Sequence, residues 1–142
     1  MYLAKLVQRY GYKIVVISRG YKGKAEKEGG IVSDGQTIQM NSSSAGDEPF
    51  MMATGLKNIP VVVGKDKCKS AMLSIKKFKP DILILDDAFQ HFKVERDLDI
   101  LLLDHSLPFG NNYLFPRGTL REAVSALKRA DVFSKTGSAL WL

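Results

Sequence analysis

Two adjacent carboxylates, Asp86 and Asp87, directly follow the apolar run Ile82–Leu85 and are well placed to do chemistry. A short, unbroken run of large aliphatic residues is typical of a strand buried on both faces of a parallel sheet. Ligands of open α/β sheets bind at the carboxyl ends of the strands, so a carboxylate there could hold Mg²⁺ against nucleotide phosphates. Because Asp is also a common turn residue, the run alone leaves a metal site and a polar turn both open.

A second acidic pair, Asp47 and Glu48, precedes Pro49 at the predicted start of a helix. Taken alone, this pattern favours a structural interpretation. Asp is a preferred N-cap, an early Glu suits the helix dipole, and Pro is tolerated in the first turn.

The elements that must position these residues alternate between strands and helices. Helices are predicted over 1–10, 48–56, 67–78 and 122–129, and strands over 13–18, 60–63, 82–85, 100–103 and 132–133. The runs Ile31–Ser33 and Thr37–Met40 flank Asp34-Gly35, a strong signal for a hairpin. This order predicts an α/β fold in which helices flank a mostly parallel sheet, with a small β-hairpin insertion.

Length and composition fit one globular domain over residues 1–142. The formal charge of +6, from 21 Lys and Arg against 15 Asp and Glu, favours anionic partners without choosing among them. Lys5 and Arg9 interrupt the opening segment, which argues against a secretory signal. The single cysteine, Cys68, permits no internal disulfide and suits a reducing compartment.

Four motifs, taken together in order and spacing, resemble the tetraacyldisaccharide 4'-kinase family. They are Ile17–Tyr21, Ala45–Pro49, Ile84–His91 and Pro116–Glu122, and the resemblance runs as far as Ser134. It implies a P-loop NTPase-like core that uses ATP and Mg²⁺. The expected reaction phosphorylates the 4'-hydroxyl of a tetraacyldisaccharide 1-phosphate and gives lipid IVA in lipid A biosynthesis. The expected location is the cytoplasmic face of the inner membrane, with the membrane surface and the lipid as partners and no nucleic acid.

The resemblance also implies a partial kinase core, truncated at both ends and inactive by itself. The chain contains no G-x-x-x-x-G-K-[ST] motif, and its opening helix resembles the one that such a loop would launch. The family's phosphate loop and membrane segment would lie before Met1, and its C-terminal region after Leu142. Ala123 stands where the family usually has Pro, and the tail Gly137–Leu142 does not look familial.

Under this resemblance the acidic motifs take catalytic and metal-binding roles. Asp47 becomes the candidate general base for the attacking hydroxyl, and Glu48 assists in placing metal or substrate. The Asp86–Asp87 pair shares the magnesium site, although consecutive strand residues point to opposite sides and should not face the metal equally. Gln90 and His91 could orient a carboxylate or a water.

Cationic residues of the same motifs could bind phosphate groups. Arg19, Arg117 and Arg121 could hold the sugar 1-phosphate or steady the transferring group, since arginine forks match phosphate oxygens. Arg19 is assigned to the nucleotide, and Arg117 and Arg121 to the lipid substrate. Lys135, which follows the last predicted strand, could stack beside the adenine.

Two other classes of protein are compatible with the general pattern. One is another P-loop NTPase of partitioning or GTPase-like type, which would lack the combination of Gly-Asp-Glu-Pro with Asp-Asp-x-Phe-Gln-His. The other is a non-enzymatic basic α/β module that binds nucleic acid or a protein, for which salt-sensitive affinity for duplex DNA would be the sign.

Overall fold

The computed structural model describes residues 1–136, apart from the side chains of Lys135 and Thr136. Two compact units, Met1–Val94 and Glu95–Leu142, make up the chain. The expectation of a single domain over residues 1–142 stays a prediction. No helix within the described part of the chain is both long and apolar enough to cross a membrane.

The first unit is a four-stranded, mostly parallel sheet with helices on its faces, as the sequence predicts. The sheet order is β2-β3-β1-β4, where β1 runs parallel to both β3 and β4 and β2 runs antiparallel to β3. The helices are α1 (Tyr2–Arg9), α2 (Ser42–Ala45), α3 (Asp47–Gly55) and α4 (Lys67–Phe78), with a 3-10 turn at Lys24–Glu26. The strands are β1 (Ile14–Ser18), β2 (Gly30–Ser33), β3 (Val61–Val63) and β4 (Ile82–Leu85).

The core lies on both faces of β1 and β3, whose residues are all buried. Ile14 and Val16 face one cluster, which also holds Ala4 of α1 and Ala53 of α3. Val15 and Ile17 face the other cluster, against which Ala71 and Phe78 of α4 pack. This alternation is the strand period of two. Strand β1 lies inside the sheet because it pairs with β3 on one side and β4 on the other, and it is buried as far as Ser18.

Strand β4 is only half-buried, so the expectation of burial on both faces is wrong for Ile82–Leu85. Within the described residues β4 pairs with β1 alone and stands at one edge of the sheet. An edge position leaves part of each side chain uncovered even when the run is continuously apolar.

The predicted hairpin forms as a turn with a short second arm. The Asp34 N–H donates to the Thr37 carbonyl at 3.3 Å, and one antiparallel bridge joins Ser33 to Ile38. Residues 37–40 form no strand beyond that bridge. Strand β2 is instead held mainly by β3, so the first arm of the hairpin becomes the antiparallel member of the sheet.

In the second unit, β5 (Ile100–Asp104) and β6 (Val132–Thr136) form a two-stranded parallel sheet, and a 3-10 helix spans Val124–Arg129. The apolar run Ile100–Leu103 repeats the character of Ile82–Leu85 and so predicts a strand buried on both faces. That prediction is wrong, because Ile100 is 37% and Leu102 is 63% exposed. In the described residues each of these strands has a single neighbour, which leaves much of their surface uncovered.

Candidate functional site

The carboxyl end of β1 is fastened to the first of the two adjacent aspartates. The Asp86 N–H donates to the Ile17 carbonyl at 2.9 Å, which continues the β1–β4 ladder by one step. The Ser18 hydroxyl then donates to the Asp86 carboxylate at 3.0 Å. Ser18 is itself 2% exposed, so this contact fixes one oxygen of a carboxylate that is otherwise half-buried.

Asp87 occupies a different position from its neighbour. Its φ of 47° lies in the left-handed region, so the chain turns sharply at this residue and its side chain is exposed. Asp86 is half-buried and Asp87 faces solvent, as expected for consecutive residues at a strand end. The two carboxylates therefore differ in their exposure to solvent, and an ion that approaches them would meet them unequally.

The Gly-Asp-Glu-Pro motif lies directly against the loop after β1. A Cβ on Gly20 would sit 2.8 Å from the Ala45 carbonyl oxygen, and one on Gly46 would sit 3.0 Å from the Tyr21 carbonyl oxygen. Gly46 has φ 90° and ψ 154°, a conformation essentially restricted to glycine. Two glycines thus allow the backbone before Asp47 to touch the backbone that follows Ser18.

These contacts bring three sequence motifs to one edge of the sheet. We define the carboxyl rim as residues Ser18–Gly20, Ala45–Glu48 and Asp86–Asp87. Asp86 is bonded to Ser18, and Gly46 touches Gly20 two residues further along the chain. Asp47 and the Asp86–Asp87 pair therefore share the end of β1 instead of lying at opposite ends of the molecule.

Asp47 is not the N-cap of its helix, which corrects the structural interpretation of the sequence. Gly46 is the N-cap, and Asp47 and Glu48 lie in the first turn of α3. Both acidic side chains are exposed. Because the glycine conformation already starts the helix, the Asp47 carboxylate is left facing solvent at the rim.

Arg19 lies on the rim and is already engaged. Its Nε donates to the Glu26 carboxylate at 2.7 Å, and its guanidinium lies 5.7 Å from the centre of the Tyr21 ring. The hydrogen bond from Arg19 lowers the pKa of Glu26, helped by a second hydrogen bond from the Lys22 N–H. Glu26 thus fixes the direction of Arg19, although 43% of the Arg19 side chain remains exposed for a further contact.

Lys67 belongs to the same edge, although the sequence motifs do not point to it. Among the described side chains it is the largest that is fully buried, at 2% exposed. Its ammonium donates to the carbonyls of Ile17 at 3.2 Å and Asp86 at 2.9 Å. Burial lowers the pKa of Lys67 from 10.5 to about 8, and the carboxylates of Asp86 and Asp87 oppose that shift.

A signal for Lys67 is present in the helical spacing of α4. Positions 67, 70, 71, 74 and 78 share one helix face, and four of them carry small or apolar side chains: Ser70, Ala71, Ser74 and Phe78. The bulky Met72 and Ile75 point outward at 69% and 51% exposed. Lys67 is the first residue on this small-residue face, which packs against the sheet, and this position predicts its burial. The neighbouring Lys65 and Lys69 make the signal hard to recognise in the sequence.

Gln90 and His91 lie in the turn region after the aspartates and are half-buried. The His91 N–H donates to the Ala88 carbonyl at 2.8 Å, and Ala88 is buried at 6% exposed. This anchors the turn behind the rim. The orienting roles of the Gln90 and His91 side chains stay predictions.

The remaining cationic candidates belong to the second unit. Arg117 is exposed and its guanidinium lies 3.9 Å from the centre of the Tyr113 ring, while Arg121 is exposed as well. The backbone of Lys135 pairs with Leu103 in the two-stranded sheet, but its side chain lies outside the described residues. Their substrate and nucleotide roles stay predictions.

The carboxylates at the rim fit a magnesium ion whose other ligands are phosphates and waters better than one coordinated by protein side chains alone. The described residues contain no group of three or more His, Cys, Asp or Glu side chains that could enclose a metal. Mg²⁺ typically takes one or two carboxylates and completes its shell with waters and substrate phosphates. Asp86, with one oxygen held by Ser18, and the exposed Asp87 supply such a set.

Comparison with known proteins gives a consistent result. The sequence model of the family described as LpxK, tetraacyldisaccharide-1-P 4'-kinase, matches residues 1–140. This match passes Ser134 and includes part of the tail that did not look familial. Two curated relatives named tetraacyldisaccharide 4'-kinase, from Pelobacter propionicus and Desulfatibacillum aliphaticivorans, are 44% and 48% identical over 95% and 96% of this chain.

A solved structure shares the fold as well. The "apo" form of LpxK from Aquifex aeolicus, in complex with ATP, superposes with a TM-score of 0.85 at 40% identity and covers 94% of this chain. The chain spans 41% of that protein and 37% of each of the two curated relatives.

Proposed function

Because the chain belongs to the tetraacyldisaccharide-1-P 4'-kinase family, we propose that its protein transfers the γ-phosphoryl group of ATP to the 4'-hydroxyl of a tetraacyldisaccharide 1-phosphate. The observation that carries the proposal is the carboxyl rim, where Asp47 and the Asp86–Asp87 pair share one end of β1. The Aquifex aeolicus structure holds ATP, which supports ATP as the phosphoryl donor here. Family membership argues against both a partitioning-type ATPase and a basic binding module.

Phosphoryl transfer requires positioning and charge neutralisation more than covalent chemistry. Asp86 and Asp87 would hold Mg²⁺, which supplies positive charge to the phosphate oxygens. The Asp47 carboxylate, exposed at the start of α3, would accept the proton of the sugar hydroxyl as that oxygen attacks phosphorus. Glu48 lies beside it in the first helical turn and would help to place substrate or metal.

Cationic residues of each unit would bind phosphate groups. Arg19, held by Glu26 at 2.7 Å, would direct its exposed donors toward phosphate oxygens at the rim. Arg117 and Arg121 would bind the 1-phosphate of the lipid. The chain contains no G-x-x-x-x-G-K-[ST] motif, so the phosphate cradle of a P-loop kinase is not among these 142 residues.

The proposed site of action is the cytoplasmic face of the inner membrane. An acylated disaccharide is confined to a membrane, and the +6 charge of the chain would favour an anionic leaflet. Sedimentation of the full-length protein with vesicles that contain anionic lipid tests this. Failure to sediment at low salt would contradict it.

The direct test is transfer of labelled γ-phosphate from ATP to tetraacyldisaccharide 1-phosphate by the full-length protein that contains these residues. We expect Mg²⁺-dependent product in the wild type. Asp47→Asn should lower kcat roughly 10²- to 10⁴-fold and leave the Kd for ATP unchanged, because only the proton acceptor is removed.

A matched control is Asp34→Asn, at a turn beside the amino end of β1 with Lys13 and Pro60 as neighbours. It should retain wild-type turnover, because an amide oxygen can keep the two bonds from the Gln36 and Thr37 N–H groups. Only the exposed bond from the Gln39 side chain is lost, and the residue lies away from the rim. Absence of transfer by the wild type would contradict the proposed function. Full activity of Asp47→Asn would remove Asp47 from the role of base.

A further inference from the structure

Lys67 places a positive charge where the protein environment disfavours one. It is the first residue of α4 and is 2% exposed, so its ammonium has lost nearly all contact with water. The positive end of a helix dipole also repels a cation at this position. Burial of an ion is tolerated only where close partners replace its hydration.

Among the described residues, the partners of Lys67 are two backbone carbonyls, that of Asp86 in the carboxyl rim and that of Ile17 just before it. The Ile17 carbonyl accepts both from the Asp86 N–H at 2.9 Å and from the Lys67 ammonium at 3.2 Å. The Asp86 carbonyl accepts from the same ammonium at 2.9 Å. The Lys67 side chain therefore links the last hydrogen-bonded step of the β1–β4 pair to the start of α4.

The Asp86 carbonyl belongs to the peptide group that leads into Asp87. When Lys67 fixes that oxygen, it fixes the plane of the peptide and the left-handed turn at Asp87, whose φ is 47°. Ser18 holds the Asp86 carboxylate from another side at 3.0 Å. The carboxylate and the carbonyl of Asp86 are thus held independently.

We propose that Lys67 is a positioning residue of the magnesium site, acting through the Asp86–Asp87 peptide. This role rests on the proposed kinase function. Lys67 would contact neither the metal nor the substrate. Its ammonium orients the two carboxylates from behind the rim, and it contributes positive charge on the protein side of the site.

The test uses the full-length protein with Lys67→Met, which keeps an unbranched side chain one atom shorter and removes the donors. We expect the Mg²⁺ concentration for half-maximal phosphoryl transfer to rise roughly ten- to a hundredfold, as for other groups that orient metal ligands. Hydrogen exchange at the Asp86 and Asp87 amides should accelerate. Lys67→Arg, which keeps charge and donors, should retain most of the wild-type Mg²⁺ response.

The matched control is Ser74→Ala, a fully buried polar residue two turns along the same helix face. Its hydroxyl bonds only to the Ser70 carbonyl, at 2.7 Å, among the described residues. It should leave both the Mg²⁺ requirement and the exchange at Asp86 unchanged. If Lys67→Met does not fold, Lys67→Leu, which is shorter and also lacks a donor, decides by the same two measurements.

An unchanged Mg²⁺ requirement in a folded Lys67→Met protein overturns the inference, even if its melting temperature falls, because the role would then be structural only. Unchanged exchange at Asp86 and Asp87 overturns it as well. A wild type without phosphoryl transfer overturns the proposed function and this inference with it. If the wild type is active and Lys67→Met has the same Mg²⁺ requirement and the same hydrogen exchange, this inference alone is overturned.

Discussion

The hydroxyl of Ser18 donates a hydrogen bond of 3.0 Å to the carboxylate of Asp86, and this contact joins the ends of two neighbouring parallel strands. Ser18 is the last residue of β1 and is buried, whereas Asp86 is the first residue after β4. The buried Ser18 hydroxyl therefore fixes the position of the Asp86 carboxylate. In the proposed magnesium site, the ion would approach the other oxygen of Asp86 and the exposed carboxylate of Asp87.

Replacement of either aspartate should weaken the use of magnesium. Asp86→Asn and Asp87→Asn should each raise the Mg²⁺ concentration for half-maximal phosphoryl transfer by about tenfold or more, since an amide is a poorer ligand for a hard cation. Steady-state kinetics of the full-length protein across a Mg²⁺ series gives the measurement.

Asp81→Asn is the control for this pair, because Asp81 accepts from the Lys13 N–H at 2.7 Å just before β4 begins. An amide oxygen can accept the same bond, and the Mg²⁺ response should not change. If neither Asp86→Asn nor Asp87→Asn alters the Mg²⁺ requirement, the metal assignment is refuted.

The close approach at Gly46 predicts a large cost for any side chain. Gly46→Ala should lower the free energy of unfolding by about 3 kcal/mol, because its conformation belongs almost only to glycine and the new Cβ would meet the Tyr21 carbonyl at 3.0 Å. Urea denaturation of the full-length protein measures this.

Gly11 supplies the comparison, with a similar φ of 88° and open space around the position that a Cβ would take, where no atom lies within 4 Å. Gly11→Ala should cost only about 1 kcal/mol, from the left-handed backbone alone. Equal losses in the two variants would show that the contact between the Gly-Asp-Glu-Pro motif and the loop after β1 contributes nothing.

The ion pair at Arg19 predicts a pH effect on the acidic side. Because Arg19 holds the pKa of Glu26 below its ordinary value of 4.5, the pair stabilises the fold above pH 4.5. That contribution is lost as the pH falls through the lowered pKa of the folded state. Arg19→Ala should raise the pKa of Glu26 toward 4.5, as measured by NMR titration of its carboxyl carbon.

Arg9→Ala is the control for this titration, since Arg9 lies at the end of α1 and does not contribute to the pKa of Glu26. An unchanged pKa of Glu26 in Arg19→Ala would mean that the pair does not persist in solution. Arg19 would then be directed by something other than Glu26.

Much of the fold was predictable because its signals are local. The apolar runs Ile14–Ile17 and Ile82–Leu85 and the spacing over Lys67–Phe78 identify two strands and a helix with bounds that nearly match the structure. Whether a strand is central or at an edge depends on its neighbours in space. The half-burial of β4 and the exposure of β5 therefore could not be predicted from the sequence.

The candidate site was predicted in part for the same reason. The sequence placed Asp86 at a strand end and Asp47 at a helix start. The contacts of Ser18 and Gly46 bring both to one edge of the sheet. The insertion of Lys67 beneath that edge depends on which face of α4 turns inward. Since that face carries mostly small residues, with Phe78 as its one bulky member among the five positions, the hydrophobic pattern alone does not reveal it.

We propose that the carboxyl rim holds a metal–nucleotide complex. The most direct measurement is a crystal structure of the full-length protein with Mg²⁺ and a non-hydrolysable ATP analogue. We expect an Mg²⁺ ion between the analogue's phosphates and the Asp86 or Asp87 carboxylate, about 2.1 Å from the carboxylate oxygen if the contact is direct. Asp47 should face the terminal phosphate from the start of α3. A metal–nucleotide complex held elsewhere, with the three aspartates facing only solvent, would contradict the account.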